Sequence, residues 1–269
     1  MVHHKYQRLL CNTHNMNILV LSDLHIDNGD NFGSFGWKPK KFINTLDKII
    51  EFYNVDNVVL NGDVFDLYKY SFSDVYKNNQ ELIQYFNARN FIYIRGNHDL
   101  LNPYARNSLT IKNSKGQRIY FEHGHNADFL NGTNIGRAIS RIGFYLLKKI
   151  MRFKWIERTY FKAVEYDDEV NRIPRKYNSY KYLKYALKLL RTYDVVILGH
   201  THKLETHKTY YLNNKKKYLN TGTCSLGRFQ AVIINTESLK YETIKINKKD
   251  KIDYSELPKI SEPKYSSDE

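Results

Sequence analysis

Five short runs of consecutive apolar residues punctuate the chain: Ile18–Leu21, Val58–Leu60, Phe91–Ile94, Ile119–Phe121 and Val195–Leu198. Runs of this length predict buried strands. Between the first two, Phe42, Ile43, Leu46, Ile49, Ile50 and Tyr53 fall on one helical face, which predicts an amphipathic helix. Leu183, Ala186, Leu187 and Leu190 repeat at helical spacing just before the last run. The segment from Tyr210 to Thr221 predicts a hairpin turning at Asn213-Asn214, and Ala231–Asn235 with Lys240–Ile246 predicts a second. Strands alternating with helices, followed by hairpins, place the chain in the α/β class, with mixed sheets and helices outside. The sequence carries no internal repeat.

Composition narrows this picture without naming a function. A chain of 269 residues, 42% hydrophobic and 14% aromatic, can bury a substantial core as one large domain or two small ones. No apolar run approaches the ~18 residues that span a bilayer. Met1 to Asn15 is polar and rich in histidine, without the apolar centre of a secretory leader. A cytoplasmic protein is the expectation, with residues 1–15 as a disordered extension, a main domain over 16–256 and a polar tail over 257–269. The two cysteines, Cys11 and Cys224, are too few for a disulfide framework or a thiolate metal cage.

The chemistry sits where the strands end. Ile18–Leu21 leads into Ser22-Asp23-Leu24-His25, and Val58–Leu60 into Asn61-Gly62-Asp63 and then Val64-Phe65-Asp66. Phe91–Ile94 leads into Arg95-Gly96-Asn97-His98-Asp99, Ile119–Phe121 into Glu122-His123-Gly124-His125, and Val195–Leu198 into Gly199-His200-Thr201-His202. Parallel strands deliver their C-terminal ends to one edge of a sheet, where open α/β folds build their sites. One such block is ordinarily a turn or a structural histidine. Five in succession, each with Asp, Asn or His beside a tight turn, point to a metal site. The glycines are expected to let the backbone turn so that the neighbouring side chain points inward. Oxygen and imidazole donors without thiolate suit manganese, iron or zinc.

Taken in this order, the five blocks resemble the motif set of the calcineurin-like metallophosphoesterases and span Asp23 to His202. That resemblance implies a sandwich of two mixed β-sheets flanked by helices. It implies one divalent metal held by Asp23, His25 and His202, a second by Asn97, His123 and His200, and Asp63 as the bridge, with manganese as the expected metal. Two such ions, ~3.5–4 Å apart, clamp the phosphoryl oxygens of an in-line displacement. Together they outweigh the two carboxylates and a hydroxide by one positive charge, which attracts a phosphate anion. The resemblance also implies that His98 stabilises the transition state or protonates the leaving oxygen, with Asp99 orienting it. His125 is expected beside the site rather than as a ligand.

The phosphorylated substrate is harder to read. Gly62-Asp63-Val64-Phe65-Asp66-Leu67 resembles the branch that contains UDP-2,3-diacylglucosamine pyrophosphatase, and so does a helical insertion at residues 133–164. The chain departs from that enzyme at His98, where its motif carries an arginine. Within the insertion, seven basic residues face one acidic residue, Glu157, between Arg137 and Arg158. Arg137, Arg141, Lys148 and Arg152 fall within about 60° of arc at ~100° per residue. Ile135, Ile139, Ile142, Leu146, Ile150 and Trp155 add apolar surface spread wider than one stripe. The expectation is a lid that meets a lipid-linked pyrophosphate or an anionic membrane surface, making the protein peripheral there. A packed helix with a solvated basic face is the plain alternative.

The 42 basic residues outnumber the 28 acidic ones, for a net charge of +14, which favours anionic partners. Lysine-rich solvated faces explain the same number. A nuclease or nucleotide phosphodiesterase draws on this charge, and a nuclease would bind DNA in a strongly salt-dependent way. A catalytically dead scaffold would have lost ligands, whereas this chain keeps the full set. No G-x-x-x-x-G-K-[ST], G-x-S-x-G or H-E-x-x-H pattern occurs, which leaves nucleotide-triphosphatase, serine-hydrolase and zincin chemistry without support.

Overall fold

The computed structural model describes residues 15–30, 32–99, 102, 104–128, 134–150, 153–156, 158, 159, 162 and 176–246. The polar tail, Cys11 and all of the N-terminal extension except Asn15 lie outside the described residues. So do Arg152 and parts of the insertion.

Among the described residues, ten strands form two sheets. The first has the order β10-β9-β1-β2-β3, from Tyr241–Ile246, Phe229–Asn235, Asn17–Leu21, Asn57–Asn61 and Ile92–Ile94. The second has the order β4-β5-β6-β8-β7, from Leu109–Lys112, Arg118–Phe121, Val195–Leu198, Asn214–Thr221 and Leu204–Tyr211. Strands β1, β2 and β3 run parallel, and so do β5, β6 and β8. The antiparallel strands β10, β9, β4 and β7 lie on the flanks.

Alternate residues of the apolar runs face opposite layers. Ile18 and Val20 of β1 meet Ile119, Phe121 and Ile197 of the other sheet, forming the core between the sheets. Leu19 and Leu21 turn the other way, into a core shared with Phe42, Leu46, Ile49 and Phe86. Those side chains come from α1 (Pro39–Phe52) and α3 (Gln80–Ala88); α2 (Phe72–Asn78) lies between them in sequence and is capped by Ser71. On the outer face of the second sheet, Val196, Leu198 and Tyr218 pack on Ala186 and Leu190, at the C-terminal end of α5 (Lys176–Leu189). Burial on both faces is why the strands read as unbroken apolar runs.

One expectation is corrected here and two details are added. The first hairpin turns at Leu212-Asn213, both with positive φ (48° and 61°), the two-residue turn that matches strand twist. Its first strand begins at Leu204, well before Tyr210. Strand β4 was not anticipated: four residues that alternate buried and exposed are too short to stand out from a loop. The helix α4 (Asn134–Ile150) does not carry Trp155, which follows a bend at Phe153 and lies in further helical residues, 154–156. The apolar residues that do lie on α4 therefore form one line.

Candidate metal centre

The ligand-bearing ends belong to two sheets that are stitched together. Past the ends of β1 and β2 the backbones stay paired, with Asp23 N–H donating to Gly62 O and His25 N–H to Asp63 O, both at 3.0 Å. Across the gap, Asn61 Nδ2 donates to Glu122 O at 3.0 Å. His200 N–H donates to Asp23 Oδ2 at 2.9 Å. The side chains expected from five separate loops thus reach one locus.

Backbone conformation aims them. Asp23, His25, Asp63, His200 and His202 all have φ between 50° and 70°, a left-handed region that L-residues rarely occupy and that costs about 1–3 kcal/mol each. The glycines expected to make these turns do so at Gly62 and Gly124, with φ of 91° and 99°, and the functional residues themselves adopt the left-handed geometry as well. Gly96 serves close approach instead, because a Cβ there would overlap the Asp63 carboxylate.

Three overlapping groups of donors converge among the described residues. Asp23, His25 and His202 form one, Asp63, His123 and His200 a second, and His25, Asp63 and His98 a third that joins them, with the donor atoms of each within 4.8 Å of one another. His202 Nε2 lies 3.1 Å from Asp23 Oδ1 and 3.3 Å from His25 Nε2. Asp63 Oδ2 stands between the first two groups, 3.2 Å from His123 Nε2 and 3.9 Å from His25 Nε2. Asn97 is buried in the loop between Gly96 and His98, where His98 N–H donates to Asp63 Oδ1 at 2.8 Å. His125 is buried next to His123, with ring centroids 5.6 Å apart.

The donor set fits divalent cations. His123 Nδ1 faces the Asn61 carbonyl at 2.9 Å, which fixes the tautomer and turns Nε2 inward. That Nε2 and Asp23 Oδ1 are buried without a hydrogen bond, a costly state for polar atoms unless a ligand completes them. Electrostatics follow from this crowding. Burial pushes the Asp23 and Asp63 carboxyls up, but imidazoles (His202 and His123 for Asp23, His123 and His98 for Asp63) hold both below the usual range. Burial and the His98 charge push His25 down to about 3, and burial with His123 does the same to His200. Burial pushes His123 down too, but Asp63 and Asp23 outweigh it and carry it up to about 10.

His98 stands at the edge of this cluster, its ring 4.6 Å from that of His25. The carboxylate that meets its Nδ1 is Asp66, at 2.9 Å. Asp99 is occupied differently: its two oxygens accept from Gly96 N–H at 2.6 Å and Val64 N–H at 2.9 Å, bracing the loop that carries Asn97. Burial, then the Asp63 charge, raises Asp99 to about 6. Asp66 was visible three residues after Asp63, but spacing could not show where it points. Tyr68, whose ring lies 4.2 Å from that of His98, and Tyr182, 5.6 Å from His200, had no signal beyond being aromatic. Arg137, Arg141 and Lys148 belong to α4, whose backbone is described and whose side chains at these positions are not.

Comparison with known proteins follows this geometry. A family model described as calcineurin-like phosphoesterase matches residues 16–204. Comparison with curated proteins finds no match. Among solved structures, an archaeal phosphodiesterase is 20% identical, covers 86% of this chain and 100% of its own, and superposes with a TM-score of 0.42. A dimetal phosphatase from Danio rerio is 11% identical over 86% of this chain and 99% of its own, with a TM-score of 0.43. Vacuolar protein sorting 29 from Cryptosporidium parvum is 14% identical over 86% and 97%, with a TM-score of 0.41.

Proposed function

We propose that this chain, which belongs to the calcineurin-like phosphoesterase family and is a metal-dependent phosphoester hydrolase, uses two divalent ions held by the residues gathered at its strand ends. Asp23, His25 and His202 hold one, Asn97, His123 and His200 the other, and Asp63 bridges them. The observation that carries this is the convergence of the two donor groups on either side of Asp63. When bound, the ions supply Lewis-acid stabilisation of the phosphoryl group and make water acidic enough to attack at neutral pH. The rest falls to the chain's own groups. Asp66 accepts from His98 Nδ1–H and fixes the ring, so His98 Nε2 gives a proton to the departing oxygen. Manganese is the metal we favour, because the set mixes carboxylate, amide and imidazole without thiolate. The test is elemental analysis with a substrate screen. Two bound metals, activity lost in chelator and best restored by manganese are the expected results, and full activity without metal would refute the reading.

For the substrate we favour a nucleotide-linked lipid pyrophosphate taken from an anionic membrane surface, and α4 is what supports it. Ile135, Ile139, Ile142, Leu146 and Ile150 are 46–71% exposed and lie within about 80° of arc, while Leu147 packs against the main core. The helix contains no acidic residue, and Lys149, Lys154 and Arg158 are exposed on or after it. Four basic groups contribute ~4 kcal/mol near an anionic surface, only millimolar affinity. Insertion of the apolar line is needed for stable docking. No helix among the described residues is long and apolar enough to cross a membrane. Replacing Arg137, Arg141, Lys148 and Arg152 by glutamine should raise KM for a large lipid-linked substrate and leave small-ester turnover near normal. Equal KM for both proteins on the large substrate would refute the lipid assignment and leave the phosphoesterase standing.

A further inference from the structure

One cation stands beside the site without a role assigned in that reaction. Lys69 follows Asp66 by three residues, in the turn after β2, and its side chain folds back rather than reaching solvent. Its Nζ lies 2.9 Å from Asp66 Oδ2, with 6% of the Lys69 side chain and none of the Asp66 side chain exposed. The same Nζ sits 4.9 Å from the centre of the Phe32 ring, a face that offsets part of an ammonium's lost hydration. Asp66 uses its other oxygen, Oδ1, for His98 Nδ1. Lysine, aspartate and histidine thus stand in a line that ends at the group serving the leaving oxygen.

Burying a lysine is expensive unless it is paired, and lysines on this chain ordinarily stay at the surface. A carboxylate held through one oxygen alone can rotate, and rotation would free the His98 ring. With Lys69 on Oδ2 and His98 on Oδ1, both oxygens of Asp66 are engaged and the plane of its carboxyl is fixed.

We propose that Lys69 is a positioning residue of the hydrolytic reaction, acting through the second oxygen of Asp66 to hold the His98 ring in the orientation that serves the leaving group. The proposal rests on the phosphoesterase reading above. Its test uses the full-length, metal-loaded protein with Lys69→Met, which keeps the length of the side chain, and Lys69→Arg, which keeps the charge. On a phosphoester with a poor leaving group, Lys69→Met should lower kcat by roughly ten- to hundredfold, the usual scale for outer partners of a reactive group, while KM changes little. On an ester with a good leaving group the loss should be at least tenfold smaller, since little protonation is needed, and Lys69→Arg should recover most of the rate. Equal losses on both esters, or none on either, would overturn the proposal. A second readout needs no turnover: in protein loaded with diamagnetic zinc, the hydrogen-bonded Nδ1–H proton of His98, identified by its loss in His98→Ala, should be seen by NMR in the unmodified protein and Lys69→Arg and vanish in Lys69→Met. Its persistence in Lys69→Met would overturn the proposal as well. If the unmodified protein hydrolyses neither ester, the reading of the site fails, and the proton signal still decides the role of Lys69.

Discussion

At the strand ends, Asp23, Asp63 and His123 are polar and almost wholly buried, whereas along α4 a line of isoleucine and leucine is apolar and exposed. Each region inverts the usual partition of residues between core and surface, and in opposite senses. The buried polar cluster is held by strained backbone, by hydrogen bonds between loops and by two packed sheets. The exposed apolar line is held by a single helix that touches the core through Leu147. A site that must keep several donors within a few ångströms needs the first kind of support. A surface that must meet a soft, variable partner needs only the second.

Breaking the buried region should have the largest effect. Asp63→Asn removes the carboxylate that stands between the two donor groups. Both metals should be weakened together and turnover should fall by at least ~10³-fold, since the ions carry several kcal/mol of the transition-state stabilisation. Metal content and kcat measured on one preparation check this. Loss of one metal with the other retained would show that Asp63 belongs to a single site.

His98→Ala comes next. Both metals should stay bound while turnover on a poor leaving group slows ~10²–10⁴-fold, or ~3–5 kcal/mol of barrier. Asp66→Asn should reproduce much of this loss if Asp66 fixes the ring, and Asp99→Asn should instead lower thermal stability, because Asp99 braces backbone N–H groups. The order of the two variants on turnover separates the roles.

How legible these regions were follows from the same contrast. The five strands and their ligand-bearing ends could be read directly, because parallel strands buried on both faces leave unbroken apolar runs and the residues after them cannot hide. Which sheet each strand joins was not legible: the residues after β5 and β6 reach the cluster from the second sheet. Nor was the partner of His98, since Asp99 is its neighbour in sequence while Asp66 reaches it from 32 residues away, and the Asp99 oxygens are taken by backbone N–H groups. The left-handed backbone at Asp23, His25, Asp63, His200 and His202 left no trace either, because glycines in the neighbourhood offered a simpler account. On α4 the periodicity was plain, but it became a single line only once Trp155 was seen to lie beyond a bend at Phe153.

Breaking the exposed region should be gentler. Ile139→Ser with Ile142→Ser and Leu146→Ser should reduce sedimentation with anionic vesicles by at least ~10-fold, given ~1.5–3 kcal/mol for burying each such side chain. Thermal stability should change by less than ~0.5 kcal/mol per site, as for other exposed positions. Unaltered vesicle binding would assign the exposed line to some other occupant and sharpen the contrast no further.

The smallest effect is expected at Cys224, which lies under the buried region and reports on how tightly it is closed. Its N–H donates to Ser22 O and Asp23 O at 3.2 Å, and its Sγ faces Gln230 O at 3.3 Å. Burial pushes its thiol up to about 12, against about 8.5 in an unfolded chain. A thiol raised in this way contributes stability that is complete below the unfolded value and is lost as pH rises through the folded one. At pH 8 the thiolate should therefore be roughly 10⁻⁴ of the population, since the nucleophile is the thiolate alone. In a Cys11→Ser background, alkylation followed by mass spectrometry should find Cys224 unmodified at pH 8 in the native protein and modified once denatured. Labelling should begin in the native protein only as the pH climbs towards the folded value. Rapid native labelling at pH 8 would mean that the strand ends open readily, and the rigid support inferred for the metal cluster would then have to come from the bound ions rather than from the fold.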